Sequence, residues 1–524
     1  MSEAAAHGPR PGFLVNTLWT WAAVASSLAM ALIITPLMVR RLGLEAYGLW
    51  VLVFALTEYY SIVDLGVRSA VVKYVAQHVT LGETEELQRT LNTAFAFFGI
   101  VGAGLLVFTV VVAPVAPRFF VISPEMRDTF VHVMMATGVG VAATFAFMWQ
   151  GAALEAVQRF DLSYRIMIAT NVARVAVMVV LLETGFGLFA VVAVALAARL
   201  IQCGLIYRRF MQQFPTLRWS RHHVHRSTFR KLFGYSIFTV PSTVGAMLLD
   251  HGPGVIVGVV LPVEYVGYYS LPRRLLQSVL DLVHRMGSVT TARSSELVAQ
   301  GDRTGLVRLA VQSNRYGLMV FMPATIFLWL FGETVFRVWL APEYAVWSAP
   351  LLPVFLVGVV FADASQFNSG SMLYGLARHR AFGILLLIEG LLSSALVYHF
   401  ASTGTLWHAA LSASLLMIVN RGLVTPYLLC QQLNYSLLRY LGEVSVRPLA
   451  TGALAGAVMW SFRAMGLPLT TLVDIGVAGV LTTAVYVVIA GRFCVLAEHR
   501  DWLLMLVARR APRLVPATRA WLGR

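Results

Sequence analysis

Apolar positions along this chain come in long unbroken runs rather than in alternation. A first group lies near 13–39, 47–67, 91–115, 129–154, 164–183 and 185–207. A second lies near 233–260, 264–284, 311–331, 350–376, 381–400 and 405–430, and two more runs lie near 445–466 and 470–494. Each can cross the ~30 Å hydrocarbon layer as a helix. The fold class expected is therefore all-α integral membrane, with about fourteen transmembrane helices. Ala29-Met30-Ala31 resembles a signal-peptide cleavage site, but the apolar run continues well past it, so a retained first helix is expected.

The polar breaks between runs repeat. Leu42 to Arg89 begins LGLEAYGLWVLVFAL and ends GETEELQR, and Leu261 to Arg308 begins LPVEYVGYYSLPRRL and ends GDRTGLVR. The same shift pairs Glu45 with Glu264, Gly48 with Gly267, Gly82 with Gly301 and Arg89 with Arg308. It also pairs Gly151 with Gly370, Leu154 with Leu373, Arg159 with Arg378 and Gly185 with Gly404. One register held over half the chain indicates a duplicated unit. Each unit has six helices, an even number, so both enter the membrane in the same direction, as a parallel repeat does. The expected domains are 1–215 and 216–440, each a six-helix lobe, and then 441–524 with two extra helices and a basic tail.

Composition agrees. Only 12% of the 524 residues are charged, and 58% are hydrophobic, whereas soluble domains run near 25% charged. The net charge of +15 sorts by membrane side rather than marking nucleic acid. Arg40, Arg41, Arg118, Arg127 and Arg337 fall in one set of loops, and the other set and both tails hold the remaining loop charge. That asymmetry predicts cytoplasmic termini. The loop from Arg208 to Lys231, with His222, His223 and His225, reads as a solvated linker on the positive side. The tail 495–524 reads as an amphipathic helix on anionic lipid. Cys203, Cys430 and Cys494 have no metal-ligand spacing. No phosphate loop, dinucleotide glycine pattern or nucleophile elbow is present.

Charges at membrane depth are costly and usually face a cavity or a partner. Thr57, Ser61, Asp64 and Arg68 are spaced to share one face of a single helix, with Glu58 beside them. Arg274, Ser278, Asp281 and Arg285 repeat that spacing, with Arg273 and Gln277 adjoining. Asp64, Arg68, Asp281 and Arg285 are equally readable as snorkelled helix ends. Arg273 and Arg274 lie too deep for that. The run 233–260 breaks at His251-Gly252-Pro253-Gly254 just after Asp250, which makes a hinge with an adjacent cation site, or a kink with a hydrogen-bonded carboxylate. Asn171, Arg174, Arg199, Asp363, Glu389 and Arg421 complete the intramembrane polar set.

Pro36 to Gln77, containing RRLGLEAYGLW and DLGVRSAVVKYVA, and the adjoining GETEEL resemble the oligosaccharide-lipid flippases of bacterial polysaccharide synthesis. EYVGYYSLP at 264–272 and LYGLARHRAF at 373–382 resemble them too. Their superfamily also holds multidrug/cation antiporters and lipid II flippases. The resemblance implies two six-helix lobes moving an undecaprenyl-diphosphate-linked oligosaccharide to the outer leaflet of the bacterial cytoplasmic membrane by alternating access. It implies no enzyme activity and no cofactor, with coupling to H+ or Na+ in many members. Under it, Arg273, Arg274, Arg68 and Arg174 would bind substrate, and Asp250, Asp64, Asp281 and Glu58 would serve coupling or the hinge. Partners implied are the lipid-linked glycan, membrane lipids, and the polysaccharide polymerase and glycosyltransferases; nucleic acid is not expected. A cation-coupled drug antiporter of the same fold is the alternative. A membrane glycan polymerase is disfavoured, because the outer loops 115–128 and 332–349 are short and carry few catalytic groups.

Overall fold

The computed structural model describes residues 13–524 except 65, 216, 237–239, 285–286, 365, 467–468, 497–498, 502–503, 506–515, 517 and 519–524. Most of the expected amphipathic tail helix lies outside the described residues. Among those described there is no strand, only an isolated bridge between Val121 and Pro262. Helices suit this environment because a helix satisfies its own backbone hydrogen bonds where no water can.

The first helices are α1 (Phe13–Leu42), α2 (Leu44–Glu58), α3 (Val67–Leu81), α4 (Thr84–Val112), α5 (Arg127–Ala156), α6 (Phe160–Glu183) and α7 (Leu188–Gln213). Then come α8 (Arg226–Ser236), α9 (Val240–Asp250), α10 (Gly252–Val260), α11 (Glu264–His284), α12 (Gly287–Gln300), α13 (Arg303–Trp339), α14 (Pro342–Trp347) and α15 (Leu351–Asp363). The last are α16 (Ser369–Gly375), α17 (His379–Ser402), α18 (Leu406–Met417), α19 (Thr425–Leu433), α20 (Leu437–Leu441), α21 (Arg447–Ala464) and α22 (Leu472–Phe493). Among the described residues nine helical segments are long and apolar enough to cross a membrane, ten if the bent pair α9–α10 is one span. The chain is a multi-pass membrane protein.

Packing divides it into two compact units, Met1–Gly267 and Tyr268–Arg524. In the first, α5 packs between α4 and α7, and α1 lies along α6. Small residues allow close approach, as is usual between helices in lipid: a Cβ at Gly102 would reach 2.8 Å from the Ala142 carbonyl oxygen. Phe98, Phe145, Trp149 and Phe210 fill the core. In the second unit α13 is the spine, packed by α12, α15, α21 and α22. The first turn of α22 is held by a reciprocal cap, in which Asp474 N donates to Thr471 Oγ1 (3.2 Å) and Thr471 N donates to Asp474 Oδ2 (2.8 Å).

Turns in the two units match at the 219-residue spacing. Gly82 and Gly301 end α3 and α12 with φ +71° and +67°, the left-handed conformation that glycine adopts without cost. Glu83 N donates to His78 O (2.9 Å), and Asp302 N to Leu297 O (3.0 Å). Gln158 and Ala377 share φ values of 62° and 55°, without glycine. The next residues close the same loop, Arg159 N to Leu154 O (2.9 Å) and Arg378 N to Leu373 O (2.8 Å). The helices α6 and α17, which begin after these loops, have the same length, 24 residues.

Two expected helices are not continuous, and one of them, 350–376, divides into α15 and α16. The run 47–67 is α2, then a 3-10 turn over Tyr59–Asp64, then a break at Gly66 (φ +78°) before α3. The tighter 3-10 winding and the break rotate α3 relative to α2. Thr57, Ser61, Asp64 and Arg68 therefore do not share a face of one α-helix. The basic linker is not wholly solvated either. Arg218 N donates to Gln88 Oε1 (3.3 Å), Asn92 Nδ2 donates to Arg218 O (3.2 Å), and Ser220 N donates to Asn92 Oδ1 (3.0 Å). Trp219 lines an open pocket of about 120 Å³ together with Phe95 and Trp149.

Candidate functional site

The first unit gathers polar groups where α2 unwinds. Asp250, exposed, is the last residue of α9, and the chain turns by 45° into α10 at His251. Pro253 occupies the first turn of α10, where its missing N–H costs nothing. So the Gly-Pro sequence divides a span without orphaning a donor. Tyr59 faces Asp250 and meets the His251 ring edge-on at 6.3 Å between centroids. Ser61 Oγ lies 3.6 Å from Met247 Sδ and donates to the Glu58 carbonyl at 2.7 Å. Glu58 and Asp64 are half-buried. Asp64 Oδ1 accepts from Arg68 N at 3.1 Å, which satisfies a donor in the first turn of α3.

Arg68 is ion-paired with Glu155 of α5. Arg174, half-buried, faces Arg199 from the neighbouring helix, and its Nε, buried, has no hydrogen-bond partner among the described residues. Two facing guanidiniums repel each other and attract anions.

In the second unit Pro272 lies inside α11, and Arg273 and Arg274 come directly after it. Arg273 is half-buried, with its guanidinium 5.9 Å from the Phe355 ring centroid, and it faces Tyr269, which is fully buried. Arg274 is exposed, and its carbonyl accepts from Ser278 Oγ (2.9 Å). Asp281 is exposed and accepts from Gln277 Nε2 (2.9 Å). Arg285 lies outside the described residues.

Deeper in this unit, residues 418–424 form a π-helical turn between α18 and α19. The wider turn presents Asn420 and Arg421 to the same carboxylate on α17. Asn420 Nδ2 donates to Glu389 Oε2 (2.6 Å), and Arg421 Nε donates to Glu389 Oε1 (3.1 Å). Asp363 is fully buried and accepts from Gln366 Nε2 (2.7 Å). Asn314 and Asn368 lock α13 to the segment before α16, with Asn368 N donating to Asn314 Oδ1 (2.7 Å).

Arg68, Glu389 and Arg421 stand out in the sequence as intramembrane charges but not as members of pairs, and Glu155, Tyr59 and Asn420 do not stand out there. Glu155 carried a signal, being a carboxylate at the end of a long apolar run.

These features define a class: a multi-pass helical membrane protein with ion pairs and facing cations inside its bundles. The family comes from comparison. Residues 37–349 match the model described as polysaccharide biosynthesis protein, and the chain belongs to that family. It is 23% identical over 350 residues to the uncharacterized membrane protein EpsK of Bacillus subtilis (strain 168), covering 65% of this chain and 67% of that one. It is 21% identical over 408 residues to a putative O-antigen transporter of Shigella flexneri, covering 77% of this chain and 95% of the other. In fold it is similar to the lipid II flippase MurJ in an inward closed conformation, with TM-score 0.70, 14% identity, and 94% and 100% of the two chains covered. It is also similar to an inward-facing multidrug resistance MATE family transporter, with TM-score 0.67, 12% identity, and 78% and 96% covered.

Proposed function

We propose that the protein is a flippase, not an enzyme, that moves an undecaprenyl-diphosphate-linked oligosaccharide across the bacterial cytoplasmic membrane for surface polysaccharide synthesis. The observation that carries this reading is membership of the polysaccharide biosynthesis family over residues 37–349. The relative named as a putative O-antigen transporter supports it. Fourteen spans, arranged as two six-helix repeats at 13–207 and 233–430 plus two C-terminal helices, would provide alternating access. The turns matched at 219 residues support that architecture. Both termini are proposed to be cytoplasmic, from the loop charge, and the polymerase and glycosyltransferases of the same pathway are the proposed partners.

Arg273 and Arg274 are the proposed diphosphate ligands. A guanidinium at membrane depth is unfavourable by at least ~2.5 kcal/mol, and charge-assisted bonds to an anionic substrate offset that cost. Arg174 beside Arg199 offers a second cationic pair, whereas Arg68 is already committed to Glu155. Asp250 at the α9–α10 bend is the proposed coupling residue, for H+ or Na+. The test is surface polysaccharide export in a deletion strain complemented with Arg273→Ala, Arg274→Ala or both. Loss of export at matched protein levels is expected, and wild-type export from all three would remove these arginines from the substrate site.

A cation-coupled drug antiporter is the second reading, favoured by the likeness to the MATE transporter and by Asp250 at a bent span. Gradient-dependent extrusion of cationic dyes, with polysaccharide unaffected by deletion, would establish it in place of the flippase.

A further inference from the structure

Arg315 is the most exceptional charge in the second unit. It lies on α13 with 4% of its surface exposed, and its Nε and Nη2 have no hydrogen-bond partner among the described residues. These two nitrogens form one edge of the guanidinium, the edge that matches two oxygens of an oxyanion. Among the described residues Arg447, Cys494, Tyr316 and Glu443 face Arg315. Glu443 does not neutralise it, because its Oε1 is shared by Arg439 Nε (3.0 Å) and Tyr435 Oη (3.1 Å). Arg447, exposed, adds a second positive charge at the first residue of α21.

A further donor converges on the same place. Tyr486 on α22 is 1% exposed, and its hydroxyl, which faces Thr451 and Cys494, has no well-aligned hydrogen-bond partner among the described residues. Thr451 Oγ1 donates to the Arg447 carbonyl (2.9 Å), which leaves its oxygen lone pairs toward Cys494 Sγ at 3.2 Å. The unsatisfied groups named here are donors. A buried cation with open donors is strongly unfavourable unless a counter-ion completes it.

We propose that Arg315, Tyr486 and Arg447 form an anion site for a phosphate group, between α13 and the ends of α21 and α22. The phosphate could come from the phosphodiester of an anionic phospholipid headgroup or from a free phosphate ion. The segment after α22 crosses beside it, with Leu496 N donating to Tyr316 Oη (3.4 Å) and His499 Nδ1 2.6 Å from that oxygen. A bound phosphate would tie the two C-terminal helices to the spine of the unit. The site does not depend on the transported substrate and uses none of its proposed ligands.

The test is thermal unfolding and native mass spectrometry of the purified full chain in detergent. Phosphatidylglycerol, phosphatidylcholine and inorganic phosphate are titrated separately into wild type, Arg315→Gln, Arg447→Gln and Tyr486→Phe. Stabilisation of wild type by phosphatidylglycerol, with apparent affinity weakened about tenfold or more by Arg315→Gln and less by the other two, supports a lipid headgroup site. Stabilisation by inorganic phosphate with the same variant order supports a free phosphate site. Without ligand, Arg315→Gln should be at least as stable as wild type, because it removes an uncompensated buried charge. If Arg315→Gln does not fold, a weaker response of Arg447→Gln and Tyr486→Phe than of wild type carries the test alone. Equal response of wild type and variants to every additive, or no response at all, overturns the proposal.

Discussion

Arg273 and Arg274 differ in their surroundings although they are adjacent. Arg273 has an aromatic ring and a buried tyrosine beside it, while Arg274 is exposed. Successive helical positions point ~100° apart, so the two guanidiniums leave the helix in different directions. Lysine keeps the charge but loses the planar fork. Arg274→Lys should retain partial export, and Arg274→Ala should lose it, when surface polysaccharide is quantified at matched protein levels. The Glu389–Arg421 pair is a different case, since its carboxylate side chain is only 2% exposed. Removing one partner leaves a buried charge, so Glu389→Gln or Arg421→Gln should each destabilise by ~3 kcal/mol or more in equilibrium unfolding. Glu389→Gln combined with Arg421→Gln should cost less than the sum. Additive losses would show that the two groups do not act as a pair.

Among elements, α2 shows how close packing constrains sequence. A Cβ on Gly48 would collide with the Val263 carbonyl oxygen, just before α11. Gly48→Val should therefore lower stability by roughly 1–3 kcal/mol, read as an earlier thermal transition in detergent; an unchanged transition would mean that the approach is not tight. The α9–α10 break was legible because proline and two glycines announce it. The break after α2 was not. Gly66 sits in an apolar stretch without proline, and the 3-10 winding of Tyr59–Asp64 leaves no periodic signature in six residues. The buried pairs were illegible for another reason. Arg68 and Glu155 are 87 positions apart, and Glu389 and Arg421 are 32 apart. A sequence shows that such charges need partners but not which ones meet. The docking of the linker on Gln88 and Asn92 was equally hidden, because main-chain recognition by an amide side chain leaves no charge pattern.

At the scale of the whole molecule, the 219-residue spacing was legible from a few identities and reappears in turn geometry at three places along the chain. A parallel repeat predicts that corresponding loops lie on the same side of the membrane. The three native cysteines are buried, so single cysteines introduced at Glu83 and Asp302 can be labelled selectively with a membrane-impermeant maleimide. Both should react from the same side, and reaction from opposite sides would contradict the repeat.

Transport itself is the central claim. Purified protein reconstituted into proteoliposomes, with undecaprenyl-diphosphate-linked oligosaccharide in both leaflets, allows flipping to be read as glycan newly exposed to an external glycan-cleaving enzyme. The account predicts protein-dependent exposure that falls at least about tenfold when Arg273 and Arg274 are both alanine. Exposure no faster than in protein-free liposomes, from protein that transports cationic dyes in the same vesicles, would contradict it.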